Sequence, residues 1–183
     1  MDGYINIDEY LRDVISFITP QSTICWLIIA FLVGVFSYYF FHIGKIKLAQ
    51  CVSLPVMAIY LSFVITITII SREPSIEAQS NVLLLWSYKA ILNGQINLIA
   101  QVFWNIVMFI PIGTILMMIL TCRQKWLISL VIGLLLSTSI EIIQLISHRG
   151  LFEFDDILHN TFGTFIGVVA FALVRKIRIL LSQ

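Results

Sequence analysis

The stretch Ser137–Gly167, STSIEIIQLISHRGLFEFDDILHNTFGTFIG, leaves one strongly apolar segment, crosses a short acidic loop and enters another. Glu141, Gln144, Asp156 and Asn160 lie inside or at the edges of those two segments. Holding a carboxylate in hydrocarbon costs roughly 2.5 kcal/mol or more, so such a residue marks a functional site until a structural role explains it. Whether these side chains converge decides how the rest of the chain is read.

The surrounding composition sets the class. The chain has 183 residues, of which 60% are hydrophobic and only 11% charged, with a mean hydropathy of +1.00. A soluble domain of this length cannot hide so much apolar surface, which predicts an all-α, polytopic membrane helical bundle. The net charge of +1 rests on few, scattered basic residues, so nucleic acid is not an expected partner. Cys25, Cys51 and Cys122 show no metal-ligand spacing and read as small apolar filler.

A span needs about 20 mostly apolar residues. Five segments qualify: Ser22–Phe41, Leu48–Ile70, Leu98–Leu120, Trp126–Ser147 and Ile157–Val174. Residues 22–183 form one transmembrane domain in this reading, with Pro55 and Pro111 inside spans. Residues 1–21 are acidic and lack a cleavable leader. Leu11, Val14, Ile15 and Ile18 have helical spacing, so the segment is either an interfacial amphipathic helix or a tail. Between the second and third spans, Val82–Leu92 is too short to cross. Trp86, Tyr88 and Lys89 suit the headgroup region, leaving an interfacial or re-entrant helix or a hydrophobic lid as readings.

Lys and Arg bias sets the orientation. Lys45, Lys47, Arg123, Lys125, Arg175, Lys176 and Arg178 fall on one side, and Arg12, Arg72, Lys89 and Arg149 on the other, with every acidic residue except Glu141. The N-terminus is therefore expected outside and the C-terminus in the cytoplasm. At ~1.5 Å per helical residue, Glu141 lies about 9 Å, Asn105 about 10 Å and Asn160 about 5 Å below the outer ends of their spans. Three helices thus bring polar groups to similar depth in the outer leaflet.

Local spacing adds to this. Glu141 and Gln144 share a helix face with Ser137, and Asp156 shares one with Asn160. Asp155 and Asp156 stand where carboxylates cap a helix start, and Arg149 is the expected counter-ion for Glu141 or the aspartate pair. Gly163 and Gly167 form a GxxxG suited to close helix packing, and Pro111 with Gly113 bends the third span. The structural alternative is a polar network that only fixes helix register, and for Asn105 and Gln144 it weighs as much as a ligand role. His148, Asp155 and His159 carry no HExxH, GxSxG or phosphate-cradling motif, so neither a metal nor a cofactor is expected and His159 reads as a solvated residue.

Several motifs, in order, carry a family resemblance over about residues 60–170. TIISREP (Thr68–Pro74) is followed by LLLWSYKAIL (Leu83–Leu92) and NIVMFIPIG (Asn105–Gly113). SIEIIQ (Ser139–Gln144), Arg149 and DDILHNTFGTFIG (Asp155–Gly167) complete the set. The chain resembles the VanZ-like family. It departs from that pattern at Leu84–Leu85, where a proline-aromatic pair is usual, and at His159, commonly an apolar position.

The resemblance implies a multi-pass protein of a bacterial cell membrane, and the family's namesake is associated with resistance to the lipoglycopeptide teicoplanin. A polar outward pocket of Asn105, Glu141, Gln144, Arg149, Asp156 and Asn160, with Arg72 at its rim, is the expected site. Its expected ligands are membrane lipids, a lipoglycopeptide or a lipid-linked cell-wall precursor. Two alternatives stand beside it: an intramembrane enzyme with Glu141 or Asp156 as acid or base, and a scaffold without ligand. Binding is favoured over catalysis.

Overall fold

A computed structural model describes Ser16 and residues 18–77 and 79–182. The proposed amphipathic helix at residues 1–21 falls mostly outside them. Five long helices make up the body: α1 (Pro20–His42), α2 (Leu48–Ile65), α4 (Leu98–Ile119), α5 (Lys125–Ser147) and α6 (Phe154–Leu181). A short helix α3 (Trp86–Leu92) and two three-residue strands, β1 (Gln79–Asn81) and β2 (Leu151–Glu153), lie between them.

Local chemistry explains the helix boundaries. Thr19 opens α1 through a capping box with Ser22, and Pro20 occupies a first-turn position where its missing N–H costs nothing. A five-residue π-helical turn, Thr66–Ile70, prolongs α2 and carries it to the length of a span. Thr66, Thr68 and Ser71 hydroxyls each donate to the carbonyl four residues back, which satisfies them inside an apolar environment. His148, at φ 55°, closes α5 in the left-handed conformation, and the Arg149 N–H then bonds the Gln144 carbonyl at 3.0 Å.

Four helices, α1, α2 with its π turn, α4 and α5, are long and apolar enough to cross a membrane by length and composition. With the apolar surface they expose, they make this a multi-pass membrane protein. The fifth expected span corresponds to α6, at 28 residues the longest helix described. It differs from the others in burying polar residues at its start, among them Asp155, Asp156, His159 and Asn160.

α6 runs parallel to α4 with almost no space between backbones. A Cβ at Gly163 or Gly167 would collide with the carbonyl oxygens of Ile106 or Ile110, and one at Gly113 with that of Thr164. Thr114 also donates to the Gly167 carbonyl at 3.2 Å. α5 crosses antiparallel, with Gly133 against Thr164 and Ser137 against Asn160. Met57, Val64, Phe109, Ile112, Leu116 and Ile140 form the apolar core joining α2, α4 and α5. α1 packs on α2 through Trp26, whose indole donates to Thr66 at 3.1 Å, and through Ser37, which donates to the Cys51 carbonyl at 3.1 Å.

These pairings gather the ends of α2, α4, α5 and α6 at one pole. There β1 and β2 pair in parallel, with Gln79 opposite Leu151 and Asn81 opposite Glu153. This small sheet ties the long loop after α2 to the acidic loop before α6.

Candidate functional site

The acidic loop and the start of α6 turn inward at this pole. Glu141 is 2% exposed, and its Oε2 accepts the Glu153 backbone N–H at 2.8 Å. The interaction brings β2 down onto α5 and places the Glu153 side chain, 5% exposed, next to Asp156. Gln101 of α4 donates from its amide to Glu153 Oε2 at 2.8 Å and to Asp156 Oδ2 at 3.5 Å. Two buried carboxyls, Glu153 and Asp156, therefore meet at one amide, and Glu141 joins them through the Glu153 backbone. Burial, then the Asp156 charge, pushes the Glu153 carboxyl from its ordinary 4.5 up to about 7, while Gln101 and Arg72 pull it down.

The cation at this cluster is Arg72. Its field reaches both Glu141 and Glu153, yet among the described residues no carboxylate lies within 4.0 Å of it. Arg149, the expected counter-ion, is used otherwise. Its Nη1 donates to the Ile70 and Arg72 carbonyls, each at 3.0 Å, and so caps the end of the second span. The reason is geometric: α2 ends with carbonyls that have no partner within the helix, and the turn after α5 delivers a guanidinium to them. Gly150 follows at φ +129°, where a Cβ would stand 2.7 Å from Arg72 Nη1. Arg149 thus holds the Arg72 backbone, and Gly150 leaves room for its side chain.

A cavity of ≈ 230 Å³ opens beside Arg72 between α2 and α4. Tyr60, Phe63 and Ile67 form one wall, and Trp104, Val107, Met108 and Pro111 the other. Thr68, Asn105 and Arg72 supply the polar groups. The Asn105 amide nitrogen is buried without a hydrogen-bond partner, a gap in hydrogen bonding beside the cavity.

The proposed pocket residues therefore divide. Arg72 and Asn105 line the cavity; Glu141 and Asp156 belong to the carboxyl cluster. Gln144, 2% exposed, spends its amide on the Thr68 carbonyl at 2.8 Å, and Asn160 donates to Ser137 at 2.8 Å. Asp155 caps a helix start, though not that of its own helix. It is fully buried and accepts from the Leu85 N–H at 2.6 Å, the Ser87 N–H at 3.0 Å and the Ser87 hydroxyl. It thereby clamps the start of α3 and holds Leu85 at φ 59°. Within Val82–Leu92 only Trp86–Leu92 is helical, and Val82–Leu85 approach it as exposed, non-helical chain.

His159 corrects another expectation. It is 4% exposed rather than solvated, with Nε2 3.1 Å from the Tyr88 hydroxyl and Nδ1 3.9 Å from Asp156 Oδ1. Glu153 and Gln101 complete the cluster but carry no signal in the sequence. Glu153 lies between the spans, and Gln101 is a lone amide in a span.

The family profile described as VanZ/LLP1 matches residues 25–175, which takes in all of these groups. No curated protein and no solved structure matches the chain.

Proposed function

The chain belongs to the VanZ/LLP1 family, and from that premise we propose that it binds a lipid or lipidated amphiphile with an anionic headgroup and so lowers susceptibility to lipoglycopeptides such as teicoplanin. The reading places it in a bacterial cell membrane with the site end outward. The observation that carries it is the cavity between α2 and α4. Its walls are apolar and aromatic, Arg72 stands at its edge, and the Asn105 amide has no partner. An acyl chain fits such walls, and a guanidinium suits a phosphate or carboxylate through paired N–H donors. The volume of ≈ 230 Å³ accommodates part of one chain, not a whole lipoglycopeptide. The protein would therefore act on a membrane component or grip the antibiotic by its acyl tail.

Mass spectrometry of the purified protein tests this directly. Wild type is expected to retain an anionic lipid, and Arg72→Ala or Asn105→Leu to lose most of it, about tenfold in occupancy for one charge-assisted bond. Equal retention by all three proteins overturns the reading. In a sensitive host, Arg72→Ala and Asn105→Leu, expressed at wild-type levels, are expected to abolish protection.

One observation favours a second reading, chemistry on a lipid or cell-wall precursor. Glu153 titrates close to neutrality beside Asp156 and Glu141, as a general acid or base would. Turnover of added lipid precursors by wild type and not by Asp156→Asn would select it. The third reading, a scaffold, predicts no bound lipid and unchanged protection in all these variants.

A further inference from the structure

The carboxyl cluster does more than the binding reading requires. Glu153 of β2 is faced by Glu141 from α5, Asp156 from α6, Gln101 from α4 and Arg72 from the segment after α2. Arg149 is occupied by two carbonyls, and Asp155 is turned onto the start of α3. Among the described residues, Arg72 is the cation whose charge reaches Glu141 and Glu153, and it also edges the cavity. An anion bound at Arg72 and the carboxylates behind it compete for the same charge.

The cluster also has a way out. His159, 4% exposed, points a buried and unpartnered Nδ1 at Asp156 Oδ1, 3.9 Å away. Its other nitrogen meets the Tyr88 hydroxyl at 3.1 Å, and Tyr88 is 44% exposed on α3. A ring nitrogen without a partner in a buried acidic site is a gap in hydrogen bonding that needs an explanation. One small rotation or a single water completes a chain from Asp156 through His159 and Tyr88 to solvent.

We propose that the Glu153–Asp156 pair is a proton-binding site coupled to the anion site at Arg72, so that an anionic headgroup binds together with a proton. The inference rests on the binding reading above. When the headgroup arrives, it draws on the Arg72 charge that had stabilised the carboxylates. The pair then takes one proton from water by way of Tyr88 and His159, and returns it when the headgroup leaves. No other bond forms or breaks.

Linkage fixes the direction. Glu153 titrates at about 7 without ligand, and a bound anion raises that value further. Below this range the pair is already protonated and affinity is flat. Above it, binding must bring a proton along, and affinity falls as pH rises until the raised value is passed.

The test uses the full chain in phosphatidylcholine nanodiscs with short-chain phosphatidylglycerol as the probe. Affinity is expected to be steady below about pH 6 and to fall roughly tenfold between about pH 7 and pH 8.5. A pH-indicator dye in weak buffer is expected to report uptake of up to one proton per bound probe just above neutrality. Glu153→Gln is expected to bind the probe without proton uptake and with little pH dependence. Asp156→Asn serves the same purpose should Glu153→Gln fail to fold, and the wild-type proton count stands without either. Probe binding with no proton uptake overturns the coupling and leaves the binding reading intact, as does unchanged uptake in a folded variant. A folded wild type that binds no probe at any pH overturns both.

Discussion

Glu153 shows how far a single side chain can matter without being visible in a linear reading. Between its unfolded value near 4.5 and about 7 in the fold, the folded protein holds a proton that the unfolded chain releases. Stability from this group is therefore complete below about pH 4.5 and is lost as pH rises through 7. The loss amounts to about 3 kcal/mol. The apparent melting temperature in detergent is expected to fall as pH rises from 6 to 8, and Glu153→Gln to flatten that slope; parallel slopes would contradict it. Asp155 has a structural task instead: its carboxyl accepts three hydrogen bonds from the start of α3. Asp155→Asn keeps the shape but turns two charge-assisted bonds into weaker or repulsive contacts, a cost of about 2 kcal/mol. Protease cleavage within residues 82–92 is expected to accelerate in that variant, and an unchanged rate would dismiss the clamp.

At the scale of elements, the contact between α4 and α6 is the least forgiving. Gly113, Gly163 and Gly167 let two backbones touch, and any side chain there must push the helices apart. Gly163→Val is expected to cost several kcal/mol and to lower the yield of folded protein sharply, whereas Phe162→Val on the exposed side of the same helix is expected to be nearly neutral. Much of the bundle is legible in the sequence, because twenty apolar residues in a row have few other uses and GxxxG announces a close approach. The elements that shape the site are not legible. Arg149 seeks carbonyls, which any residue supplies, so nothing in the sequence names Ile70 and Arg72 as its partners. Asp155 bonds backbone N–H groups 68 and 70 positions upstream. The three-residue pairing of β1 and β2 is too short to leave an alternating pattern. Gly150 is the exception that can be tested: its positive φ and its nearness to Arg72 predict that Gly150→Ala displaces the guanidinium. Lipid retention per folded molecule is then expected to fall as in Arg72→Ala, while the strained φ lowers the yield of folded protein.

Across the whole molecule, charge and polarity are divided between two poles. The antiparallel pairing of α1 with α2 and of α5 with α6 brings the start of α1 and the ends of α2 and α5 to the pole that holds Arg72, Glu141, Glu153 and Asp156. Lys45, Lys47, Arg123, Lys125, Arg175, Lys176 and Arg178 gather at the other pole. In the orientation we propose, the basic segments stay on the cytoplasmic face and the carboxyl pole faces outward, where the cavity would meet a ligand arriving from outside. Residues Val82 and Ile43 belong to opposite poles, and both are exposed. In a background with Cys25, Cys51 and Cys122 replaced, Val82→Cys is expected to react with a membrane-impermeant maleimide on intact cells. Ile43→Cys is expected to react only after the membrane is broken. The reverse pattern would move the anion site and its proton route to the cytoplasmic face. The ligand would then have to be a lipid of the inner leaflet, and direct capture of an external antibiotic would be ruled out.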